Sequence, residues 1–335
     1  MRQTGETTPA VLGTALAGVG AMDRLKRILP VLWIAGCSHP GGPGDNTGSG
    51  NHEDASTQTT DGNPSNQGDA NTSPGDASTV FAANDRCSDA IAIDMNNSHT
   101  ALAVNPTNSH ADLAAPCGTA GVPDVFFSFT LTRRQLIYAD TFGSSASTAL
   151  YFASSCNVAL TSATTAGDAV CSAGACGTSQ SQVVALLDPG TYYLLLATQG
   201  TATIHFQHAE VGSGNVAQLP QGTTTQTGTT SGVGTLYACD AGGPENTYWW
   251  STCPADQGGA FTASTCNGSS ITTDFDTMLS LQMPGSDAVL CDDDSCSFQS
   301  TIGTTVPAGA GLHAISVDGF SSSKLGSYSL AVTRP

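Results

Sequence analysis

Basic side chains are scarce in this chain: 9 Lys and Arg stand against 27 Asp and Glu in 335 residues, a formal charge of −18. A surface so poor in cations cannot neutralise a phosphate backbone, which excludes nucleic acid as a partner. Anionic lipid headgroups are poor partners for the same reason, and divalent cations are the natural counter-ions. No CxxC pair occurs among the eleven cysteines, so zinc-ribbon and thioredoxin-type chemistry lack their usual spacing. GxSxG, HExxH and a glycine-rich phosphate loop are missing as well. No segment sustains a 3.6-residue apolar period, which leaves little room for amphipathic helices. The seven histidines are scattered; His205 and His208 lie three apart near a strand end and read as surface side chains. Arg133-Arg134 reads as a solvated turn.

What is present begins with a compact N-terminal pattern. Basic residues Arg24-Leu25-Lys26-Arg27 precede an apolar run from Ile28 to Ala35, and Ile34-Ala35-Gly36-Cys37 closes it. The run is too short to cross ~30 Å of hydrocarbon as a permanent helix, and the order of charge, apolar stretch and small residues is that of an export signal. Ile34–Cys37 resembles the lipobox of bacterial lipoproteins, which implies cleavage before Cys37 and acylation of that residue. Residues 22–37 form a complete signal beginning at Met22, so residues 1–21 are expected to be an early-called start. Loss of residues 1–37 removes four basic and two acidic side chains, leaving 25 acidic against 5 basic, a formal charge of −20.

From Ser38 to Thr79 there is no Leu, Ile, Val, Met, Phe, Tyr, Trp, Lys or Arg. Such a stretch cannot bury enough apolar area to offset its ordering entropy, so a disordered tether is expected over 38–83. A flexible coil of 42 residues spans roughly 35–40 Å.

Residues 84–335 contain an internal repeat. Cys117 followed by Pro123-Asp124-Val125-Phe126-Phe127 is matched by Cys239 followed by Pro244-Glu245-Asn246-Thr247-Tyr248. Asp140-Thr141-Phe142 matches Ser264-Thr265-Cys266, Thr148-Ala149-Leu150 matches Thr277-Met278-Leu279, and Cys171-x4-Cys176 matches Cys291-x4-Cys296. Both halves carry short runs rich in β-branched and aromatic residues, such as Tyr192–Ala197 and Tyr328–Val332, bounded by Gly, Pro, Asp and Ser. The reading is all-β: two tandem jelly-roll or Greek-key sandwiches over 84–211 and 234–335, joined by a Gly/Thr/Gln-rich linker over 212–233.

Asn84-Asp85-Arg86-Cys87-Ser88-Asp89-Ala90 resembles the opening of bacterial pre-peptidase C-terminal (PPC-like) domains, in the cysteine-rich form of myxobacterial secreted proteins. Asp276-Thr277-Met278-Leu279-Ser280-Leu281, Cys291-Asp292-Asp293-Asp294 and Val317-Asp318-Gly319-Phe320 are similar to its later motifs, in order. The resemblance implies a jelly-roll-like sandwich acting as an accessory or surface module. In the first half Ser147 stands where Asp276 does, and Ser172-Ala173-Gly174 replaces the acidic triplet.

Asp276, Asp292, Asp293 and Asp294 form the candidate metal site, since adjacent carboxylates repel one another unless solvated or bound to a cation, and calcium takes six to eight oxygens. Disulfides are expected between Cys171 and Cys176 and between Cys291 and Cys296, with Cys87–Cys117 and Cys239–Cys253 as additions. That scheme leaves Cys156 and Cys266 over; the rival joins Cys156 to Cys171 and Cys266 to Cys291. Trp249 and Trp250 point to opposite faces of a strand, so that one ring is available to stack on a sugar unless both are taken up by the core and a domain interface. These features describe a non-catalytic, lipid-anchored cell-envelope protein, attached to the membrane through Cys37 and facing the periplasm or the cell surface. Its partner would be a cell-surface glycan or an envelope protein. A carbohydrate-binding lipoprotein is the alternative and a secreted hydrolase the most remote reading.

Overall fold

The computed structural model describes residues 82–161, 169–236, 238–266 and 273–335. The signal, Cys37 and all but the end of the expected tether lie outside these residues. The first sandwich is built from β1 (Ile91–Ala92), β2 (His99–Val104), β3 (Asp124–Leu131), β4 (Gln135–Asp140), β5 (Thr148–Ser155), β6 (Val158–Ala159), β7 (Cys171–Ser172), β8 (Gln182–Leu187), β9 (Gly190–Thr198) and β10 (Ala202–Glu210). The second uses β11 (Val216–Gln218), β12 (Gly222–Thr229), β13 (Asn246–Thr252), β14 (Gly259–Ser264), β15 (Thr277–Gln282), β16 (Val289–Asp293), β17 (Thr301–Val306), β18 (Gly311–Gly319) and β19 (Ser327–Arg334). No α-helix occurs among the described residues.

The repeat seen in sequence is a repeat of topology. Sheet order β1-β3-β9-β5-β6, with β7 also on β5, is reproduced as β11-β13-β18-β15-β16, and β2-β10-β4-β8 as β12-β19-β14-β17. In each sandwich one pair is parallel, β1 with β3 and β11 with β13, and the remaining pairs are antiparallel. A buried hydroxyl network is copied too. Thr141 Oγ1 lies 2.6 Å from Thr148 Oγ1 and accepts from Ser181 N–H at 2.9 Å. Thr265 Oγ1 lies 2.7 Å from Thr277 Oγ1 and accepts from Ser300 N–H at 3.0 Å. Most buried polar groups in folded proteins are hydrogen-bonded, and each network ties three loop ends together in the same way.

Alternation along the strands sets the two cores. Val125, Phe127 and Phe129 meet Leu194, Leu196, Ile204 and Phe206 in the first. Tyr248 and Trp250 meet Leu279, Ile315, Val317 and Leu330 in the second. A third buried cluster joins the sandwiches: Leu136, Tyr138, Val184 and Leu186, outward-facing on β4 and β8, pack against Trp249, Leu312 and Ala314. Hydrogen bonds border it. Gln207 Oε1 accepts from Leu312 N–H at 2.7 Å, Gln182 Nε2 donates to Thr252 O at 2.9 Å, and Arg134 Nη1 donates to Gly214 O at 3.1 Å.

Residues 212–233 are not a linker. β11 pairs with β13, and β12 runs the full length of β19 from Gly222 opposite Arg334 to Thr229 opposite Ser327. Threonine is β-branched and suits an edge strand, but a strand of Thr with one Gln and two Gly has no apolar period by which to recognise it. Gly212 sits where a Cβ would fall inside the Glu245 carboxylate. Glu245 is buried and accepts from Ser213 N–H and Leu236 N–H, pinning the chain as it enters the second sandwich.

All ten cysteines of residues 87–296 are bonded, but not as either scheme expected. The pairs are Cys87–Cys156, Cys117–Cys171, Cys176–Cys253, Cys239–Cys291 and Cys266–Cys296, with Cα separations of 5.5–6.0 Å. Cys171–Cys176, Cys291–Cys296, Cys87–Cys117 and Cys239–Cys253 do not form, nor do Cys156–Cys171 and Cys266–Cys291. Cys171 lies in β7 opposite Tyr151, and Cys291 in β16 opposite Ser280. Both project from the outer face of their sheets, toward the loops that carry Cys117 and Cys239. Cys176 and Cys296 have already left those strands. Cys296 meets Cys266 beyond β14, whereas Phe142 occupies the matching place in the first half. Cys176 therefore finds its partner, Cys253, in the other sandwich.

Candidate metal centre

Register brings most of the acidic residues together. Asp276 precedes β15, Asp293 ends β16, and Asp294 follows with a left-handed backbone (φ 61°). One carboxylate oxygen from each of these three lies within 4.8 Å of the others. Asp293 stands opposite Met278 and faces outward; Asp292 stands opposite Leu279 and faces the other way. Asp292 is accordingly no member of the group. Its Oδ1 accepts from Ser295 Oγ–H at 2.7 Å and its Oδ2 from Thr301 N–H, so it closes the loop between β16 and β17.

The three grouped carboxylates are short of partners. Asp276 Oδ1 and Asp293 Oδ1 are buried and make no hydrogen bond, while Asp276 Oδ2 lies 3.6 Å from Lys324 Nζ. Burial, followed by the charges of Asp294, Asp276 and Asp292, raises the pKa of the Asp293 carboxyl. Orphaned carboxylate oxygens in a repelling group fit a hard divalent cation, for which these three residues would supply oxygens alongside water and loop carbonyls. In the first sandwich β7 takes the place of β16 on its neighbour, with Leu150 opposite Ser172, so Ser147, Ser172, Ala173 and Gly174 occupy the matching positions without a carboxylate.

Neither tryptophan can serve a ligand by stacking. Trp249 lies in the cluster between the sandwiches and Trp250 in the second core, 0% and 1% exposed. Trp250 stacks on His313, with ring centroids 4.6 Å apart and planes 2° from parallel, and on Phe261 at 5.3 Å. Both imidazole nitrogens of His313 lack partners, and burial pushes its pKa down to about 3. Asp318 on β18 is buried with both oxygens unpartnered; burial and the nearby Glu245 charge push it up to about 8. Sequence reading singled out neither as a site residue. The only hint for Asp318 is an acid inside an apolar strand, Ala314-Ile315-Ser316-Val317-Asp318.

No family model and no curated protein matches the chain. Among solved structures, the CUB1-EGF-CUB2 domain of human MASP-1/3 is 9% identical with a TM-score of 0.20, over 71% of this chain and 100% of that one. A Paenibacillus xanthan lyase is 12% identical with a TM-score of 0.20; this chain spans only 25% of its length, using 71% of its own. A putative secreted protein from Eubacterium rectale is 10% identical with a TM-score of 0.17, over 64% of this chain and 70% of that one. Likeness of that degree carries no weight for function.

Proposed function

We propose that this chain is a lipid-anchored envelope protein that presents a rigid pair of PPC-like β-sandwiches as a binding or structural body, with a calcium ion held by Asp276, Asp293 and Asp294. The observation that carries the reading is the set of five disulfides, one of which, Cys176–Cys253, locks the two sandwiches together. Disulfides persist in oxidising compartments, which supports an extracytoplasmic site. Cys37 supplies the membrane link, and mass spectrometry of the mature N-terminus tests it. An acylated peptide starting at Cys37 is expected; one beginning at or before Gly36 refutes the anchor.

The calcium site has its own test. Binding to the native state alone stabilises by mass action, by about 2.7 kcal/mol at a free concentration of 100 times the dissociation constant. The mature protein should melt higher with calcium than with chelator. Asp293→Asn and Asp276→Asn are expected to abolish that rise. Asp292→Asn is expected to lower the melting temperature but to keep the response, because Asp292 holds the loop rather than the ion. A rise unaffected by Asp293→Asn would show that calcium binds elsewhere.

A further inference from the structure

Where the sandwiches meet, their contact opens into a cleft of about 560 Å3 whose walls include His99, Asp140 and His205 from the first and Pro254, Pro284 and Pro307 from the second. β10 lies against β2 with His205 opposite Ala101 and Gln207 opposite His99. The two histidines therefore share one face as diagonal neighbours, about 7–8 Å apart at the backbone, within joint reach of two imidazole rings.

Each ring has a carboxylate behind it. His205 Nδ1 lies 2.9 Å from Asp140 Oδ1. That carboxylate is buried and fixed on its other sides, accepting from Phe142 N–H at 2.9 Å and from Tyr138 Oη–H at 2.7 Å; Gln182 Nε2 donates to Tyr138 Oη at 3.1 Å. His99 Nδ1 lies 3.6 Å from Asp287 Oδ1, and Asp287 accepts from Ser98 N–H at 2.9 Å and Ser98 Oγ–H at 2.6 Å. The bond to Asp140 fixes His205 with its proton on Nδ1 and leaves Nε2 as a free lone pair, the arrangement that metal-ligating imidazoles take, while at 3.6 Å the Asp287 carboxylate faces His99 Nδ1 as a charge partner that favours the same orientation. The two side chains are 43% and 45% exposed, so the free nitrogens are open to an entering ion. His110 has a carboxylate too, Asp85 at 2.8 Å, but is not among the cleft's lining residues.

We propose that His99 and His205 bind one divalent transition-metal ion of the imidazole-preferring kind, Cu2+, Ni2+ or Zn2+, at the mouth of this cleft, with Asp140 and Asp287 orienting the rings. Imidazole nitrogen suits these ions, whereas calcium takes oxygen, so the site is chemically distinct from the carboxylate group. It belongs to both sandwiches, because Asp287 of the second orients a ligand of the first.

The test uses the mature full-length protein with calcium in excess, titrated with Zn2+ by calorimetry and loaded with one equivalent of Cu2+ for electron paramagnetic resonance. His99→Gln and His205→Gln should each weaken binding at least tenfold and reduce the coordinated imidazole nitrogens from two to one. Asp287→Asn, which keeps an oxygen for the Ser98 hydrogen bonds, should cost about 10–100-fold in affinity and leave the nitrogen count at two. His110→Gln should change neither affinity nor nitrogen count. The proposal is overturned if the paired His99→Gln/His205→Gln variant binds with unaltered affinity, or if the nitrogen count is the same in wild type and single variants.

Discussion

At pH 8 the Asp318→Asn variant is expected to melt well above the wild type, and at pH 4 the two should nearly coincide. Asp318 is 2% exposed, neither oxygen has a partner, and burial with the Glu245 charge lifts its pKa to about 8. In the unfolded chain it titrates near 3.8. The folded state therefore binds the extra proton between those values, and the stability it contributes is full below pH 3.8 and lost as pH rises toward 8. At 1.36 kcal/mol per unit of pKa, the loss by pH 7 is on the order of 4 kcal/mol. Asparagine has the same shape and no proton to lose, so its profile lacks this slope. His313 acts with the opposite sign. Its folded pKa of about 3 lies below the ordinary 6.5, so its contribution is present above pH 6.5 and lost as pH falls toward 3. Between pH 4 and 6.5 the two slopes offset each other and leave a plateau. Of these two groups, only Asp318 lowers stability above 6.5, and only His313 does below 4. Melts at pH 4, 6 and 8 in chelator, for wild type, Asp318→Asn and His313→Gln, check this. Parallel pH profiles for all three would mean that these buried groups do not titrate with folding.

The fold class was legible because its signal is local. Strands such as Val183–Leu187, Tyr192–Ala197 and Leu312–Val317 alternate or concentrate apolar side chains, and they fall within β8, β9 and β18. The repeat was legible because its landmarks are core and network positions, among them Thr141, Thr148, Thr265 and Thr277. β12 was not, because an edge strand of Thr and Gln has the composition of a linker. The disulfides depend on which face of which sheet a cysteine leaves from, and sequence spacing does not record that. Cys176 illustrates the point: its x4 spacing from Cys171 copies that of Cys296 from Cys291, yet Phe142 stands where Cys266 does, and Cys176 pairs instead with Cys253 of the other sandwich.

The candidate metal site was half legible for a related reason. Asp292 and Asp293 face opposite ways on β16, and Asp294 follows the strand with a left-handed backbone, so the triplet at 292–294 splits and only Asp293 and Asp294 join Asp276. Asp318 and the pair His99 and His205 were out of reach. The histidines come to share a face only through the pairing of β2 with β10, and the proton affinity of Asp318 comes from burial, at which an acid within Ala314–Asp318 no more than hints.

Breaking Cys176–Cys253 by double replacement with serine, together with Trp249→Ala, is expected to split one cooperative melt into two. Each sandwich has its own core, so each can unfold separately once the coupling between them is weak. Two features contribute strongly to that coupling. The disulfide spans 77 residues, and the loop-closure entropy it removes from the unfolded chain is worth about 4.5 kcal/mol. Trp249, fully buried among Leu136, Tyr138, Val184 and Leu312, is the largest side chain between the sandwiches, and removing it costs about 3–5 kcal/mol. What remains is smaller apolar contact and hydrogen bonds such as Gln207 to Leu312 and Gln182 to Thr252, each worth about 1 kcal/mol. Differential scanning calorimetry should give one transition for the wild type, with calorimetric and van't Hoff enthalpies equal, and two for the combined variant. Trp249→Phe with the disulfide intact should keep a single transition, because Nε1 of Trp249 makes no hydrogen bond and most of the ring's contact survives. A single transition in the combined variant, with the full enthalpy retained, would show that the sandwiches are coupled by something other than this seam.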